Sequence, residues 1–422
     1  MTETRAQQHK GQSHFPVVIV GAGMVGAALA CALHDIGINS LVLEAGTLNQ
    51  QANWSPDDVD PRVSALSLAS QNLLTHIGAW PRIKAMGRLQ DYQRMYVWDG
   101  CGTGHIEFKA SEQHLPSLGH ILENKTITTA LHQELERRAI EVWSQVVLQD
   151  ISPQTQEPRQ LYLADGRMVT TDLVVGADGA NSKVRQLSGL PTREWDYPHH
   201  ALVTRVALAQ SHDNTAWQRF TENGILALLP LRSPADSNVG SHCSIVWSMP
   251  ALPAKERQAM TDDDFCITLE QAFEGRLGKV LSTDTRYVIP LRQRHAKSYY
   301  QAGLVLVGDA AHTIHPLAGQ GVNLGFLDVA ALVQTLQETQ QTDQPFGDSS
   351  VLNTYQQRRR GDNLRMMALM ESFARLFGNQ HPLLSMLRNQ AMHSMQALAP
   401  IKQHLAQEAL GVGKHLPPLA RP

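Results

Sequence analysis

The sequence lacks the features that mark several broad classes of protein. Its charges nearly balance, with 36 Lys and Arg against 39 Asp and Glu, so no basic excess is available to bind nucleic acid. No apolar run approaches the ~20 residues that a membrane-spanning helix needs. The first fourteen residues are polar and contain no apolar stretch of a signal peptide. We therefore expect a cytoplasmic protein and leave open peripheral contact with the inner membrane.

Cysteine is scarce, and its spacing does not suit metal or disulfide chemistry. The four cysteines form no CxxC pair; they are Cys31, Cys101, Cys243 and Cys266. This spacing argues against a zinc ribbon, a disulfide framework and a redox dithiol. We expect free, buried thiols and no metal site.

The N-terminal segment does carry a dinucleotide-binding pattern. A β-branched strand at 15–20 leads into Gly21-Ala22-Gly23-Met24-Val25-Gly26, which is followed by a helix and a second strand at 40–43. The three glycines permit a tight turn, close approach of backbone amides to a diphosphate, and close helix–strand packing. The helix N-terminus adds partial positive charge. Glu44 ends the second strand, where a carboxylate accepts hydrogen bonds from ribose hydroxyls.

Two later strands end in a glycine–acid turn, one at Gly176-Ala177-Asp178-Gly179 and the other at Gly308-Asp309. A protein that binds only a nicotinamide dinucleotide needs neither turn. A flavin does, because an Asp at a strand end can hold the hydroxyls of its ribityl chain. FAD is therefore the expected cofactor. No second GxGxxG is present for a nicotinamide reductant.

A glycine-rich segment follows the second of these turns. Pro316-Leu317-Ala318-Gly319-Gln320-Gly321-Val322-Asn323-Leu324-Gly325 is expected to run from a loop into a helix at 325–339. Its glycines would let backbone amides approach a flat ring. The start of the helix would stabilise negative charge on a reduced flavin.

In this order, the motifs resemble those of the class A flavoprotein aromatic hydroxylases. The resemblance covers most of residues 15–330. It implies that Asp309 binds the ribityl chain, that Asp178 serves both flavin and pyridine nucleotide, and that Arg62 lies near both. It also implies NADH or NADPH as reductant, O2 as co-substrate, and ring hydroxylation through a flavin C4a-hydroperoxide. The expected cofactor-binding residues are Gly21, Gly23, Met24, Gly26, Glu44, Arg62, Asp178, Gly308, Asp309, Pro316, Gly319, Gln320, Gly321, Val322 and Asn323.

The resemblance also implies an α/β fold divided into three parts. A Rossmann-like FAD-binding domain, p-hydroxybenzoate-hydroxylase-like and of the GR2 type, is interleaved with a β-sheet substrate domain and followed by a C-terminal helical segment. We assign 15–75, 100–194 and 295–350 to the first, 76–99 and 195–294 to the second, and 351–422 to the third. Arg358-Arg359-Arg360 is expected on a solvated helix face, with contact to acidic phospholipid as the alternative.

The closer resemblance is to the ubiquinone-biosynthesis branch, through the segments 62–67, 118–124 and 308–325. Within it, 195–203 and 243–248 look most like enzymes that hydroxylate C5 of a 2-polyprenylphenol ring. Hydroxylation of 3-demethoxyubiquinol or of a small soluble phenol stays an alternative, as does a non-catalytic flavin-binding scaffold. A polyprenylated phenol is the implied partner. Other proteins of ubiquinone biosynthesis and a second copy of the chain stay open.

No catalytic base is assigned. A phenol hydroxylase often uses Tyr or His to deprotonate its substrate. The candidates are Tyr197, His312 and His315, with His199 and His200 beside the first. Each has a structural alternative, such as a turn at 197–200 or a backbone hydrogen bond from His312. The segment 126–130 lacks the arginine through which many class A hydroxylases contact the flavin.

Overall fold

The computed structural model describes residues 13–48, 60–100, 102–155, 157–221, 224–233, 241–313, 321–377, 389–390, 402, 407, 410–411, 413 and 416–422, without the side chains of 195–198, 370 and 373–377. Its helices are α1 (Met24–Asp35), α2 (Leu68–His76), α3 (Ala79–Ala85), α4 (Asn124–Arg137), α5 (Lys183–Leu187), α6 (Ala251–Ala259), α7 (Asp262–Ala272), α8 (Gly321–Gln340) and α9 (Ser349–Phe377). Its strands are β1 (Ser13–Val20), β2 (Ser40–Leu43), β3 (Val63–Leu66), β4 (Gln90–Tyr92), β5 (Arg94–Asp99), β6 (His105–Lys109), β7 (Gly119–Glu123), β8 (Glu141–Trp143), β9 (Leu148–Ile151), β10 (Arg159–Leu163), β11 (Met168–Gly176), β12 (Thr192–Leu208), β13 (Thr215–Thr221), β14 (Gly224–Leu231), β15 (Ser241–Pro250), β16 (Val280–Thr283), β17 (Tyr287–Ala296), β18 (Tyr300–Gln301), β19 (Leu304–Leu306) and β20 (His312–Thr313).

The first sheet has a parallel centre in the order β8-β2-β1-β11-β19. Read from β1, this is the doubly wound order of a dinucleotide-binding fold, with the first strand central and later strands added on either side. Val17, Val18 and Ile19 of β1 are fully buried, as expected for a strand covered on both faces. Helices α4 and α8 both pack on α1. The predicted Rossmann-like part of an α/β fold is therefore present.

The second sheet runs β20-β17-β12-β15-β14-β13-β5-β6, with β16 paired to β12. Its outer face packs on α6 and α7 through one apolar core that includes Leu202, Trp247 and Phe265. Side chains alternate along each strand, so the intervening residues form the opposite face, which we call the inner face. Two apolar clusters lie on it: Val97, Ile106, Phe220 and Ile225 form one, and Ala201, Val203 and Leu291 form the other.

A three-stranded sheet in the order β3-β7-β4 covers part of the inner face. Ala65 of β3 and Ile121 of β7 share an apolar cluster with Ala216 and Leu229 of the large sheet. The hydroxyl of Ser244 on β15 donates to the Pro61 carbonyl at 3.5 Å. The inner face is therefore the one that looks toward the dinucleotide-binding part.

The packing departs from our domain assignment at three places. The strand β6 pairs with β5 in the large sheet, although we assigned 100–194 to the FAD-binding domain. Helix α3 packs in the first core through Trp80 and Ile83, although we assigned 76–99 to the substrate domain. Leu352 and Tyr355 of α9 are buried in that same core. At these places the β5–β6 hairpin and the apolar faces of α3 and α9 pack with a different part from the one that we assigned. The exact domain division stays a proposal.

Two further observations concern the cysteines and the helices. Cys31, Cys243 and Cys266 are free and buried, as predicted, while Cys101 lies outside the described residues. Within the described part of the chain, no helix combines the length and the apolar character needed to cross a membrane.

Candidate active site

The first glycine turn has the geometry that a diphosphate needs. A Cβ on Gly21, where φ is +105°, would lie 2.6 Å from the Ala177 carbonyl oxygen, and one on Gly26 would lie 1.9 Å from that of Gly21. No other atom lies within 4 Å of such a Cβ on Gly23. Gly23 caps α1 without a side-chain hydrogen bond, and the first turn of α1 holds no acid. The N–H groups at this helix start therefore face open space that suits an anion.

Glu44 is positioned by the backbone around it. One carboxylate oxygen accepts the Ala22 N–H at 2.6 Å, and the other accepts the Gly46 N–H at 2.7 Å. A carboxylate oxygen can accept a second hydrogen bond. Glu44 can therefore hold the glycine turn and accept ribose hydroxyls at the same time.

Only one of the two carboxylate oxygens of Asp178 has hydrogen-bond partners among the described residues. Its Oδ2 accepts the N–H groups of Lys183 and Val184 at 2.6 and 3.1 Å. Its Oδ1 is buried and has no hydrogen-bond partner among the residues that the structure describes. A buried acceptor without a partner is costly, so this oxygen fits a donor on a bound cofactor.

A buried arginine joins the Asp178 turn to the Asp309 turn. Arg185 donates to the Ala310 carbonyl at 2.7 Å and to the Ala180 carbonyl at 2.9 Å. The two glycine–acid turns, which lie more than a hundred residues apart in sequence, are thus fixed next to each other. Burial lowers the pKa of Arg185, and the charge of Arg294 lowers it further.

The Asp309 turn packs closely against α1 because glycines at the contact have no side chain. A Cβ on Gly308 would lie 3.1 Å from Cγ2 of Val25, and one on Gly325 would lie 2.6 Å from the same atom. Asp309 itself is exposed, yet burial by surrounding protein atoms raises its pKa, with His312 opposing and Asp328 adding to the effect. The carboxyl is therefore recessed among protein atoms but open to a ligand hydroxyl.

Helix α8 starts at Gly321, four residues earlier than predicted, so Gly321, Val322 and Asn323 form its first turn. The Asn323 amide accepts the Ser67 N–H at 3.0 Å and donates to the Ala65 carbonyl at 2.8 Å. This side chain ties α8 to the small sheet, which leaves only its backbone for a cofactor. Four predicted residues lie outside the described part of the chain: His315, Pro316, Gly319 and Gln320.

Arg62 lies in a loop whose backbone is anchored by hydrogen bonds and whose side chain is exposed. Its carbonyl accepts the Asn124 N–H at 3.0 Å, and the Asp60 N–H donates to Glu123 at 3.0 Å. The Arg62 side chain is 68% exposed and pairs with Asp60 at 3.4 Å. Since the neighbouring Pro61 touches Ser244, the guanidinium is available beside the inner face.

Behind the Asp309 turn lies a buried charged network that sequence reasoning missed. Asp328 of α8 is fully buried and accepts hydrogen bonds from the Gly308 N–H at 3.0 Å and from Arg359 at 2.8 Å. Burial alone would raise its pKa, but His312 and Arg359 outweigh this and lower the pKa to about 2. Arg359 is 2% exposed, so our expectation of a solvated arginine run is wrong at this residue.

His312 belongs to the same network. It is 1% exposed, and its Nε2 lies 2.5 Å from Asp328 Oδ2. Its other ring nitrogen is buried without a partner among the described residues. Its burial and its pairing with Asp328 place His312 inside the fold, which does not favour it as a base for a substrate. Of the other candidates, burial lowers the pKa of His199, aided by His200, and the Tyr197 side chain lies outside the described part.

A polar cavity of about 620 Å³ opens beside Pro61 at the edge of the large sheet. Its two arginines are neutralised, since Arg205 pairs with Asp284 at 2.7 Å and Arg286 pairs with Asp262 at 2.8 Å. It therefore offers no surplus positive charge to a dinucleotide phosphate, and we do not assign it to the cofactor.

Three features together define an FAD-binding flavoprotein: the doubly wound sheet, the open helix start at Gly23, and the carboxylates of Glu44 and Asp309, which a ligand can reach. The chain belongs to the family described as "FAD binding domain", which matches residues 14–369.

Curated relatives cover nearly the whole chain. The 3-demethoxyubiquinol 3-hydroxylase of Escherichia coli (strain K12) is 36% identical over 94% of this chain and 98% of its own length. The mitochondrial ubiquinone biosynthesis monooxygenase COQ6 of Xenopus tropicalis is 34% identical over 96% of this chain and 95% of its own. This protein is an FAD-dependent aromatic-ring monooxygenase of the class A flavin hydroxylases.

Solved structures agree on the fold. The p-nitrophenol 4-monooxygenase PnpA of Pseudomonas putida DLL-E4 matches with a TM-score of 0.73 at 17% identity, over 95% of this chain and 99% of its own. The probable FAD-dependent monooxygenase pqsL of Pseudomonas aeruginosa matches with a TM-score of 0.72 at 21% identity, over 90% and 100%. The predicted fold class is confirmed.

Proposed function

We propose that this protein hydroxylates the ring of a polyprenylated phenol in ubiquinone biosynthesis, with NADH or NADPH as reductant and O2 as co-substrate. The observation that carries the proposal is its similarity, over nearly the full chain, to relatives named for that pathway. The apolar clusters of the inner face support it, because a long hydrocarbon chain binds by burying apolar surface.

The described residues suit the cofactor in distinct roles. The start of α1 at Gly23 would hold the diphosphate, Glu44 the ribose, and Asp309 the ribityl chain. Bound FAD supplies the redox chemistry, which is two-electron reduction by a nicotinamide and activation of dioxygen. The protein's part is to orient the ring near the flavin and to exclude water.

Two ring positions remain as candidate steps. The sequence resemblance at 195–203 and 243–248 favours C5 of a 2-polyprenylphenol. The 36% identity to the E. coli enzyme favours 3-demethoxyubiquinol instead. Both substrates combine an apolar chain with a hydroxylated ring, so the inner face alone does not separate them.

The test is the lipid that accumulates in a strain without this protein, identified by mass spectrometry of quinone extracts. Accumulation of a polyprenylphenol supports the C5 step, and accumulation of 3-demethoxyubiquinol supports the other. Wild-type protein should reverse the accumulation, whereas Asp309→Ala should not. An unaltered quinone profile would count against both steps and in favour of a small soluble phenol.

A further inference from the structure

The side-chain amide of Gln218 lies within the apolar inner face. Gln218 is in the middle of β13, and its neighbour Trp217 packs on the outer core, so Gln218 points to the inner side. It lies directly opposite Val97 of β5 and Ala227 of β14. These positions place it beside the cluster that contains Phe220 and Ile225.

The oxygen of this amide has nothing to bind within the described fold. Gln218 is 6% exposed, and its Oε1 is buried without a hydrogen-bond partner among the described residues. Leaving a buried acceptor unpaired costs about 1–3 kcal/mol. Ser248, on the same face, shows the contrast, because its hydroxyl accepts the Ile225 N–H at 2.9 Å. The sheet therefore satisfies the Ser248 hydroxyl, whereas the Gln218 oxygen has no partner among the described residues and can accept from a donor on a ligand.

We infer that Gln218 binds the ring hydroxyl of the phenolic substrate, an assignment that rests on the proposed function. The hydrocarbon chain of such a substrate has no polar atom, so only the ring oxygens can pair with the amide. A hydroxyl both donates and accepts, so it matches the amide whichever way its oxygen and nitrogen are turned. The ring hydroxyl then lies against β13, and the apolar parts of the substrate lie against the surrounding cluster.

This assignment makes Gln218 a specificity-determining residue. A ring whose hydroxyl is methylated cannot donate to Oε1, although its apolar surface is nearly the same. One net hydrogen bond of about 0.5–1.5 kcal/mol corresponds to a preference of about 2- to 10-fold. We therefore expect FAD-loaded protein to bind 2-geranylphenol more tightly than 2-geranylanisole by that factor, beyond their difference in partitioning from water.

The test compares Gln218→Met, which keeps the length of the side chain, with Ser248→Ala as the control from the same face. Affinities for both ligands are measured by the change in flavin absorbance. Gln218→Met should weaken phenol binding about 2- to 10-fold and leave anisole binding as it is. Ser248→Ala should keep the wild-type preference for the phenol. Gln218→Leu provides a second variant in case methionine disturbs folding.

The outcomes separate this assignment from the proposed function. If the wild-type protein binds both ligands and Gln218→Met leaves both affinities unchanged, the assignment is overturned and the proposed function stands. An unchanged phenol affinity with a raised melting temperature has the same meaning, because the amide oxygen is then an unpaired buried acceptor whose removal stabilises the fold. If the wild-type protein binds neither ligand, both ideas fail.

Discussion

The carboxylate of Asp328 yields a prediction about what holds the Asp309 turn in place. Asp328→Ala removes the acceptor of the Gly308 N–H and takes from the Arg359 guanidinium its buried counter-charge, which leaves only the half-exposed Asp362 at 3.3 Å. Breaking a buried pair by removing one partner costs about 3–5 kcal/mol. Native proteins are stable by only about 5–15 kcal/mol, so we expect a large loss of stability and weaker retention of FAD.

The assay is the urea midpoint of the FAD-loaded protein, together with the FAD retained after gel filtration. Glu338→Ala is the matched control, since its 2.7 Å ion pair with Arg358 joins the same two helices but Glu338 is half-exposed. An exposed pair contributes at most about 1 kcal/mol. Replacing both buried charges, with Asp328→Leu and Arg359→Met, should recover most of the loss.

The same carboxylate predicts sensitivity to acid. Its pKa is lowered from 3.8 to about 2 because the charges of His312 and Arg359 outweigh the opposing effect of burial. A folded-state pKa below the unfolded value stabilises the protein above about pH 4, and this stabilisation is lost as the pH falls toward 2. At about 1.4 kcal/mol per pKa unit it amounts to about 2.5 kcal/mol. A urea midpoint of Asp328→Ala equal to that of the wild type, or a double variant with a midpoint as low as that of Asp328→Ala, would contradict the stabilising role of this carboxylate.

Three further predictions concern the cofactor site. Asp309→Ala should give folded but colourless protein, and FAD retained at normal stoichiometry in its absorbance spectrum would contradict the ribityl role. Glu44→Ala should weaken FAD binding by about 1.5–3 kcal/mol, the range for hydrogen bonds to a charged group, and unchanged affinity in a fluorescence titration would remove Glu44 from the ribose site. Gly325→Ala should lower the free energy of unfolding by about 1–3 kcal/mol because its Cβ would lie 2.6 Å from Val25. Adding Val25→Ala should restore most of the loss, and failure to do so would show that this contact is not the cause.

The sequence predicts the dinucleotide-binding part well because its determinants are local. The strand, the glycines at 21 to 26 and Glu44 lie within 30 residues, and Gly21 and Gly26 answer a steric need that any such turn has. The helix start at Gly321 was harder to place. Its anchor is the Asn323 amide, which binds β3 more than 250 residues earlier in the chain.

The Asp328 network and the Gln218 amide could not be predicted from the sequence. Asp328 and Arg359 are 31 residues apart on different helices, and charged residues on amphipathic helices usually face solvent. Gln218 shares one side of β13 with Ala216 and Phe220, but pairing of distant strands decides whether such a position faces a core, a ligand or water. Both features depend on tertiary contacts that leave no local pattern.

The buried contact between Asp328 and Arg359 also bears on where a shortened form of this protein would stop working. Every glycine–acid turn is complete by residue 325, so a chain ended after residue 348 would keep all of them. It would nevertheless lose Tyr355, whose hydroxyl donates to the Leu306 carbonyl at 3.1 Å, and Arg359, the counter-charge behind Gly308. We therefore expect that a stop codon between residues 325 and 355 leaves every flavin motif in the gene. The encoded protein would nevertheless fail to retain FAD.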